Sequence, residues 1–185
     1  SMNVVNVAAL PDDKTYDATR ARLSSNATPQ ARRWFAGFSH EGQPWQNLRT
    51  FVDLNTVSDA NYFRDLGTRN LNLESRTHLN KEAVVSWQDA RWHAETRVQR
   101  IQLLDPYLSS IDVNKPFDRL PEIKLSRQSD SWGALRYGVD GAHVRFDRSL
   151  DRSLLSAQQL MNGALVSGSR VSVEPWLSLP FRGAG

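Results

Sequence analysis

The chain has 185 residues, of which 39% are hydrophobic and 23% charged, and it contains no cysteine. Disulfides, thiolate metal sites and thiol catalysis are therefore excluded. The 23 Lys and Arg residues are scattered among 20 Asp and Glu residues, whereas a nucleic-acid-binding protein concentrates basic charge on one face, so we expect no nucleic-acid partner. No apolar run reaches the ~18 residues of a transmembrane helix, but barrel strands cross membranes with low average hydropathy.

Most of the chain shows period-two alternation of apolar and polar residues, the pattern of a half-buried β-strand. In 48–55, the clearest example, Leu48 and Val52 fall on one face while Arg49 and Asp53 fall on the other. The alternation predicts strands, in chain order, at 4–10, 31–39, 46–57, 77–88, 91–103, 119–127, 132–146 and 169–179.

The links between the predicted strands alternate in length. Short links at 40–45, 88–91 and 128–133 alternate with long polar links at 11–30, 58–76, 104–118 and 147–168. This rhythm is typical of an up-and-down antiparallel meander. The last long link contains one candidate helix, Ser153 to Leu165. The alternation slips after Val98 and around Asp140 and Gly141, where we expect a bulge or a strand end.

Two faces of opposite character result from the alternation. One is predicted to carry apolar side chains, namely Trp34, Phe38, Leu48, Val52, Leu54, Val85, Val98, Ile123, Val171 and Leu177. The other is predicted to carry charged side chains, namely Arg49, Asp53, Glu82, Glu95, Arg97, Glu122, Lys124 and Arg170. Because burial of unpaired charge is costly, the charged face must meet water, either outside the molecule or in a wet lumen. Alternation alone favours a soluble β-sandwich or a half-open sheet over a membrane barrel, since soluble β-domains share this pattern.

The sequence offers no residues with the spacing of a catalytic or metal site. Its four histidines, at 40, 78, 93 and 143, form no closely spaced pair, and there is no P-loop, dinucleotide-binding or nucleophile-elbow motif. We therefore expect no catalytic residue, no metal ligand and no cofactor, and a carboxylate-based glycan hydrolase is the least favoured hypothesis. Four tryptophans, at 45, 87, 92 and 132, lie at or beside short links, and they fit either intersheet packing or the aromatic girdle of a membrane barrel.

Several segments resemble, in the same order, those of one family of barrel proteins. The most specific is Val57-Ser58-Asp59 followed by Tyr62-Phe63-Arg64-Asp65, which is similar to the family's Val-Ser-Asp-x-x-Tyr-Phe-x-Asp pattern. Weaker similarities lie at 10–16, 75–77, 97–102, 117–123, 144–146 and 168–180. From residue 4 to residue 180 the chain thereby resembles the barrel domain of the LptD family of lipopolysaccharide-assembly proteins.

The resemblance implies an all-β fold, an antiparallel up-and-down meander of about eight strands that forms part of a large outer-membrane β-barrel. Residues 1–185 would then be an internal segment of the barrel domain, without the signal peptide, the periplasmic N-terminal domain, the gate strands and the later strands. The start of the chain, Ser1 to Val4, indeed lacks the features of a signal peptide.

The same resemblance implies a function without enzymatic chemistry, as part of the outer-membrane translocon that inserts lipopolysaccharide into the outer leaflet. The implied partners are lipopolysaccharide, the plug lipoprotein LptE, the periplasmic Lpt bridge (through the absent N-terminal domain) and outer-membrane lipid. The alternative is a soluble β-sandwich module that binds glycan or protein.

Two sets of candidate functional residues follow from the resemblance. The lumen-facing set comprises Arg49, Asp53, Glu95, Arg97, Glu122, Lys124, Arg136 and Arg170. Its cations could attract anionic phosphates and sugars, or they could pair across strands with Asp53, Glu95, Glu122, Asp140 and Glu174. Pairing is the favoured interpretation, because lumens of mixed charge are ordinary in such barrels.

The second set is the family-signature loop, comprising Val57, Ser58, Asp59, Tyr62, Phe63 and Asp65. Exposed aromatic rings cost roughly 1.5–3 kcal/mol each relative to burial, so we expect the loop to fold back with Tyr62 or Phe63 inside the rim. The alternative is a loop that is ordered only by local turns. Asp59 is expected to cap the local turn. The family implies that this loop shapes the lumen near the plug lipoprotein.

Overall fold

The computed structural model describes residues 1–11, 32–59, 62–63, 78–104, 116–128, 135–148, 156–161 and 167–179. The strands are β1 (Met2–Leu10), β2 (Arg33–Trp45), β3 (Leu48–Val57), β4 (His78–Gln88), β5 (Trp92–Leu103), β6 (Asp118–Gln128), β7 (Arg136–Asp147) and β8 (Gly168–Ser178), and a short helix, α1 (Ala157–Met161), lies between β7 and β8.

All eight described strands belong to one sheet, in the order β1 to β8, and each is antiparallel to its neighbours in the chain. The predicted fold class, an all-β up-and-down meander, is confirmed. We call the end of the sheet at which β2, β4, β6 and β8 begin the long-loop rim. The opposite end, where these strands finish, is the short-turn rim. Most strand ends agree with the prediction to within about two residues, the usual uncertainty of such boundaries.

The largest correction concerns β2. The predicted link at 40–45 is wrong, because β2 continues to Trp45 and the turn to β3 falls at Gln46 and Asn47. Gly42 and Pro44, which suggested the turn, lie where the β2–β3 register shifts, between Gly42 and Trp45. A proline lacks the N–H group of a regular ladder, and an irregularity of this kind accommodates it inside a strand.

The slip that the sequence shows after Val98 is confirmed. The β5–β6 register shifts between Arg97 and Gln99, and the facing β6–β7 register shifts between Arg119 and Glu122. The irregularity is therefore shared by three adjacent strands.

The slip predicted at Asp140 and Gly141 is wrong. Here β7 pairs without a shift with both β6 and β8. The alternation in the sequence breaks because two polar residues, His143 and Arg145, lie on the largely apolar face. The pairing register of β7 is unchanged.

The candidate helix at 153–165 is represented by α1 alone among the described residues. Ser156 and Gln159 form a reciprocal capping box: the Gln159 N–H donates to the Ser156 Oγ (3.2 Å), and the Ser156 N–H donates to the Gln159 Oε1 (2.9 Å). No helix in the described ranges is long and apolar enough to span a membrane.

The pairing register settles which side chains share a face, because directly opposed residues point to the same side. All ten predicted apolar residues fall on one side, which we call the apolar face. All eight predicted charged residues, together with Arg136, fall on the other side, the charged face. One row across the charged face runs through Phe51, Val84, Arg97, Glu122, Val144 and Arg170.

The apolar face is exposed, unlike the apolar face of a soluble domain, while exposure on the charged face varies from residue to residue. On the apolar face Val171 is 70% exposed and Leu177 is 74% exposed, and most of its other large side chains are exposed as well. On the charged face Glu122 is 9% exposed. The small buried hydrophobic cluster of the described residues (Phe35, Val57, Tyr62, Phe63, Leu79 and Leu104) lies at the long-loop rim.

Candidate functional site

The charged face contains an ionic network centred on Arg97 in β5. Its guanidinium lies 3.2 Å from a carboxylate oxygen of Glu82 in β4, 3.5 Å from one of Glu95, and 4.0 Å from one of Glu122 in β6. Arg97 is brought to these acids by the register, since Val84 and Glu122 are its direct partners on the flanking strands. The guanidinium is therefore shared among acids on three adjacent strands.

Two further cations extend the network. Lys124 lies 3.5 Å from Glu122 and 3.7 Å from Glu95, and Arg119 lies 3.2 Å from Glu122. The three cations face three carboxylates, so the network carries no formal net charge. Arg97, Glu95, Glu122 and Lys124 therefore all have a partner of opposite charge, and their position in a lumen stays a prediction.

Three other cations of the charged face lie outside this network. Arg49, Arg136 and Arg170 are exposed, and none has an ion-pair partner within the described ranges. The predicted acids Asp140 and Glu174 stand directly opposite each other, and so they do not form a cross-strand pair of opposite charge.

Asp53 and Arg49, both on β3, have different surroundings from the network. The Asp53 carboxylate accepts a hydrogen bond from the Asn55 side-chain amide (2.7 Å). Arg49 borders an open cavity of about 420 Å³, which is also lined by Phe51 and Val84. Arg49 therefore borders open space on the charged face, and Glu41 lines the same space.

A second candidate site, the rim cluster, joins β2 to the signature loop. Arg33 is 1% exposed, and its guanidinium makes two parallel contacts with the Asp59 carboxylate, Nε to Oδ2 at 3.0 Å and Nη2 to Oδ1 at 2.9 Å. The Ser58 Oγ donates to the Asp59 Oδ2 (2.8 Å) and accepts from the Trp34 N–H (3.1 Å). Planar bidentate pairs of this kind combine strength with a fixed geometry.

Aromatic rings complete the rim cluster. Tyr62 and Phe63 are both buried, and Phe63 meets Phe35 of β2 edge to face at a centroid distance of 5.8 Å. The Arg33 guanidinium carbon lies 5.7 Å from the centre of the Tyr62 ring. The expectation that this segment folds back on the sheet agrees with the observed packing. Burial raises the pKa of the Tyr62 hydroxyl; the nearby Arg33 charge opposes this rise, and Asp59 adds to it.

The sequence indicated most of the signature loop but not its partner on β2. Val57 is buried and Ser58 and Asp59 hold the cluster, while Asp65 lies outside the described residues. The Asp59 backbone oxygen accepts from the Tyr62 N–H (3.3 Å), and a cap by its carboxylate stays a prediction. Arg33 was missed because nothing in a strand pattern distinguishes a buried arginine from an exposed one.

Tryptophans mark the short-turn rim of the apolar face. Trp45 and Trp87 are exposed on this face, and each of them pairs with Leu48 from opposite sides. Trp92 lies beneath the Arg127 guanidinium at 5.2 Å. Trp132, the fourth tryptophan of the predicted girdle, lies outside the described ranges.

These observations define a class of protein. A single antiparallel meander with exposed apolar side chains on one face and an ionic network on the other is the arrangement typical of the wall of a membrane β-barrel. Residues 31–185 match the LptD family, described as LPS transport system D. The chain belongs to this family.

Curated relatives support the same assignment. The chain is 30% identical to the LPS-assembly protein LptD of Pseudomonas putida over 81% of its own length and 18% of the relative's. It is 32% identical to that of Nitrosospira multiformis over 83% and 15%, respectively, and 28% identical to that of Saccharophagus degradans over 96% and 21%. The chain therefore spans about a fifth or less of the relatives it matches.

Proposed function

We propose that the chain is a segment of an outer-membrane barrel that inserts lipopolysaccharide into the outer leaflet, with the apolar face against lipid and the charged face lining the lumen. The observation that carries this proposal is the exposure of the large apolar side chains on one face of the sheet. Large exposed apolar surfaces mark sites of contact with membranes or proteins. The soluble β-sandwich alternative needs a second sheet over the apolar face, whereas all described strands form one sheet.

The transport task explains why the two faces differ. Lipopolysaccharide has an anionic head and several acyl chains, so a wet, polar lumen can pass the head while the acyl chains stay away from water. No covalent chemistry is required. Within this segment, Arg49, Arg136 and Arg170 would attract the head, because they are the charged-face cations without an ion-pair partner in the described part of the chain.

The proposal includes the parts that lie outside this segment. A signal peptide, a periplasmic N-terminal domain that joins the Lpt bridge, gate strands and later strands would belong to the longer protein. The rim cluster supports the further proposal that the signature loop shapes the lumen beside the plug lipoprotein LptE. A Tyr62→Ala, Phe63→Ala double variant of the longer protein should then retain less LptE and admit large hydrophobic antibiotics, and unchanged values for both would reject this role.

The orientation of the faces is tested by two adjacent substitutions in β3. Val52 lies on the apolar face and Phe51 lies on the charged face. The two residues are adjacent on β3, so they point to opposite faces of the sheet at almost the same depth in the bilayer. In the longer protein, Val52→Arg should cost on the order of 2–4 kcal/mol near the bilayer midplane. Phe51→Arg places the same charge in the lumen and should leave the yield of folded barrel close to that of the wild type. Equal yields for both variants would contradict the proposal.

A further inference from the structure

Two cations of the apolar face stand directly opposite each other on adjacent strands. Lys81 of β4 and Arg100 of β5 are direct partners in the antiparallel register, and both point to the apolar side. Like charges in this position repel each other and destabilise a sheet. Arg100 is exposed, and neither cation has an ion-pair partner among the residues that the structure describes.

No acid in the described part of the chain forms an ion pair with Lys81 or Arg100. Glu82, next to Lys81 in sequence, points to the charged face and pairs with Arg97. The Asp118 carboxylate, near Arg100 along β6, accepts from the Ile101 N–H at 3.0 Å. The two positive charges therefore stand together on the face that carries most of the exposed apolar side chains.

Polar neighbours hold the Lys81 ammonium in place. Its Nζ donates to the Thr56 Oγ (3.0 Å), and the Thr56 hydroxyl donates to the Gln102 Oε1 (3.2 Å). Gln102 is tied in turn to the Val57 backbone oxygen (3.1 Å). These contacts fix the ammonium beside Arg100 on the outward surface.

The position of Lys81 and Arg100 on the sheet indicates which kind of group could neutralise their positive charges. Lys81 and Arg100 lie toward the long-loop rim, and Ala83, Val85 and Val98 continue the same face as an apolar strip toward the short-turn rim. A group with an anionic head and acyl tails matches this order of charge and apolar surface, because phosphate oxygens accept several charge-assisted hydrogen bonds from Lys and Arg. A free anion would leave the strip uncovered.

We propose that Lys81 and Arg100 form an outward-facing site for the phosphate of a membrane lipid, whose acyl chains lie along the strip formed by Ala83, Val85 and Val98. This site is distinct from the lumenal cations, because it lies on the opposite face of the sheet. It rests on the proposed contact of the apolar face with lipid. Occupation of the site would turn a repulsive cross-strand pair into a bridge between β4 and β5.

The test uses the longer protein that contains this segment, purified in detergent and analysed by native mass spectrometry. Phosphatidic acid and diacylglycerol with the same acyl chains differ only in the phosphate, and inorganic phosphate lacks the chains. We expect retention of phosphatidic acid above both other probes, and a Lys81→Gln, Arg100→Gln double variant should weaken it roughly tenfold. Arg127→Gln is the matched control, since Arg127 is a cation on the same face at the short-turn rim.

The proposal is overturned if diacylglycerol or inorganic phosphate is retained as well as phosphatidic acid. It is also overturned if the double variant binds phosphatidic acid with unchanged affinity. If the double variant does not fold, the exposed Arg100→Gln alone should still lower retention, and an unchanged value would have the same consequence. The outcome is separable from that of Val52→Arg, which tests the orientation of the face through barrel yield and does not depend on phosphate.

Discussion

The rim cluster and the ionic network both hold charges together, but in opposite ways. In the rim cluster one buried arginine meets one carboxylate in a bidentate pair, with aromatic rings around it. In the network each of several partly exposed side chains shares its partners, and the central Arg97 keeps 28% of its side chain exposed. A pair with a buried arginine is costly to break, whereas a network with partly exposed cations that share their partners can lose one member and rearrange. We therefore expect the rim cluster to contribute more to the free energy of unfolding than the ionic network does.

The largest effect should come from breaking the buried pair. Arg33→Ala leaves the Asp59 carboxylate without its bidentate partner, and loss of one member of a buried pair typically costs about 3–5 kcal/mol. Denaturant unfolding of the longer protein should show this loss as a lower midpoint. The control is an Arg33→Met, Asp59→Leu double variant, which removes both charges and should recover much of the stability. A double variant as unstable as Arg33→Ala would show that packing, and not the unpaired charge, dominates.

A smaller effect is expected from the aromatic part of the same cluster. Phe63→Ala removes a buried ring that packs on Phe35 and should cost about 3 kcal/mol, at the lower end for such truncations because the site is at the rim. Phe51→Ala is the matched control, since this ring is 41% exposed on the charged face. If both variants unfold at the same denaturant concentration, the loop does not contribute to the stability of the rim cluster.

The smallest effect should come from the ionic network. Glu122→Gln removes the carboxylate that contacts Arg97, Arg119 and Lys124, yet these partners are partly solvated, so we expect a loss of only about 1 kcal/mol after screening. Glu174→Gln is the control, because Glu174 faces Asp140 across the strands. A loss of stability as large as that of Arg33→Ala would mean that the ionic network is shielded from solvent as well as the rim cluster is.

The two faces could be predicted from the sequence because apolar and polar residues alternate clearly along β3 and β5. The same reasoning failed where composition imitates another structure. Gly42 and Pro44 look like a turn but lie in a strand irregularity, and His143 and Arg145 look like a register slip but are polar residues on the apolar face.

The candidate site was only partly predictable for a different reason. Two adjacent aromatics, Tyr62 and Phe63, are costly to expose, so their burial follows from the sequence alone. The pairing of Arg33 with Asp59 spans 26 positions and depends on how the loop returns to β2, which no local pattern encodes. The division of the charged-face cations into paired and unpaired groups likewise depends on the three-dimensional register of β4, β5 and β6.

The central claim is that the apolar face meets lipid and the charged face meets water, and successive nitroxide labels along β3 test it most directly. In the longer protein reconstituted in a bilayer, positions 50, 52 and 54 should be accessible to oxygen, which concentrates in hydrocarbon, and positions 49, 51 and 53 to a water-soluble nickel complex. The predicted result is a two-residue alternation in which the two reagents are out of phase. Accessibility with the reverse phase, or equal accessibility to the water-soluble reagent on both faces, would contradict the account.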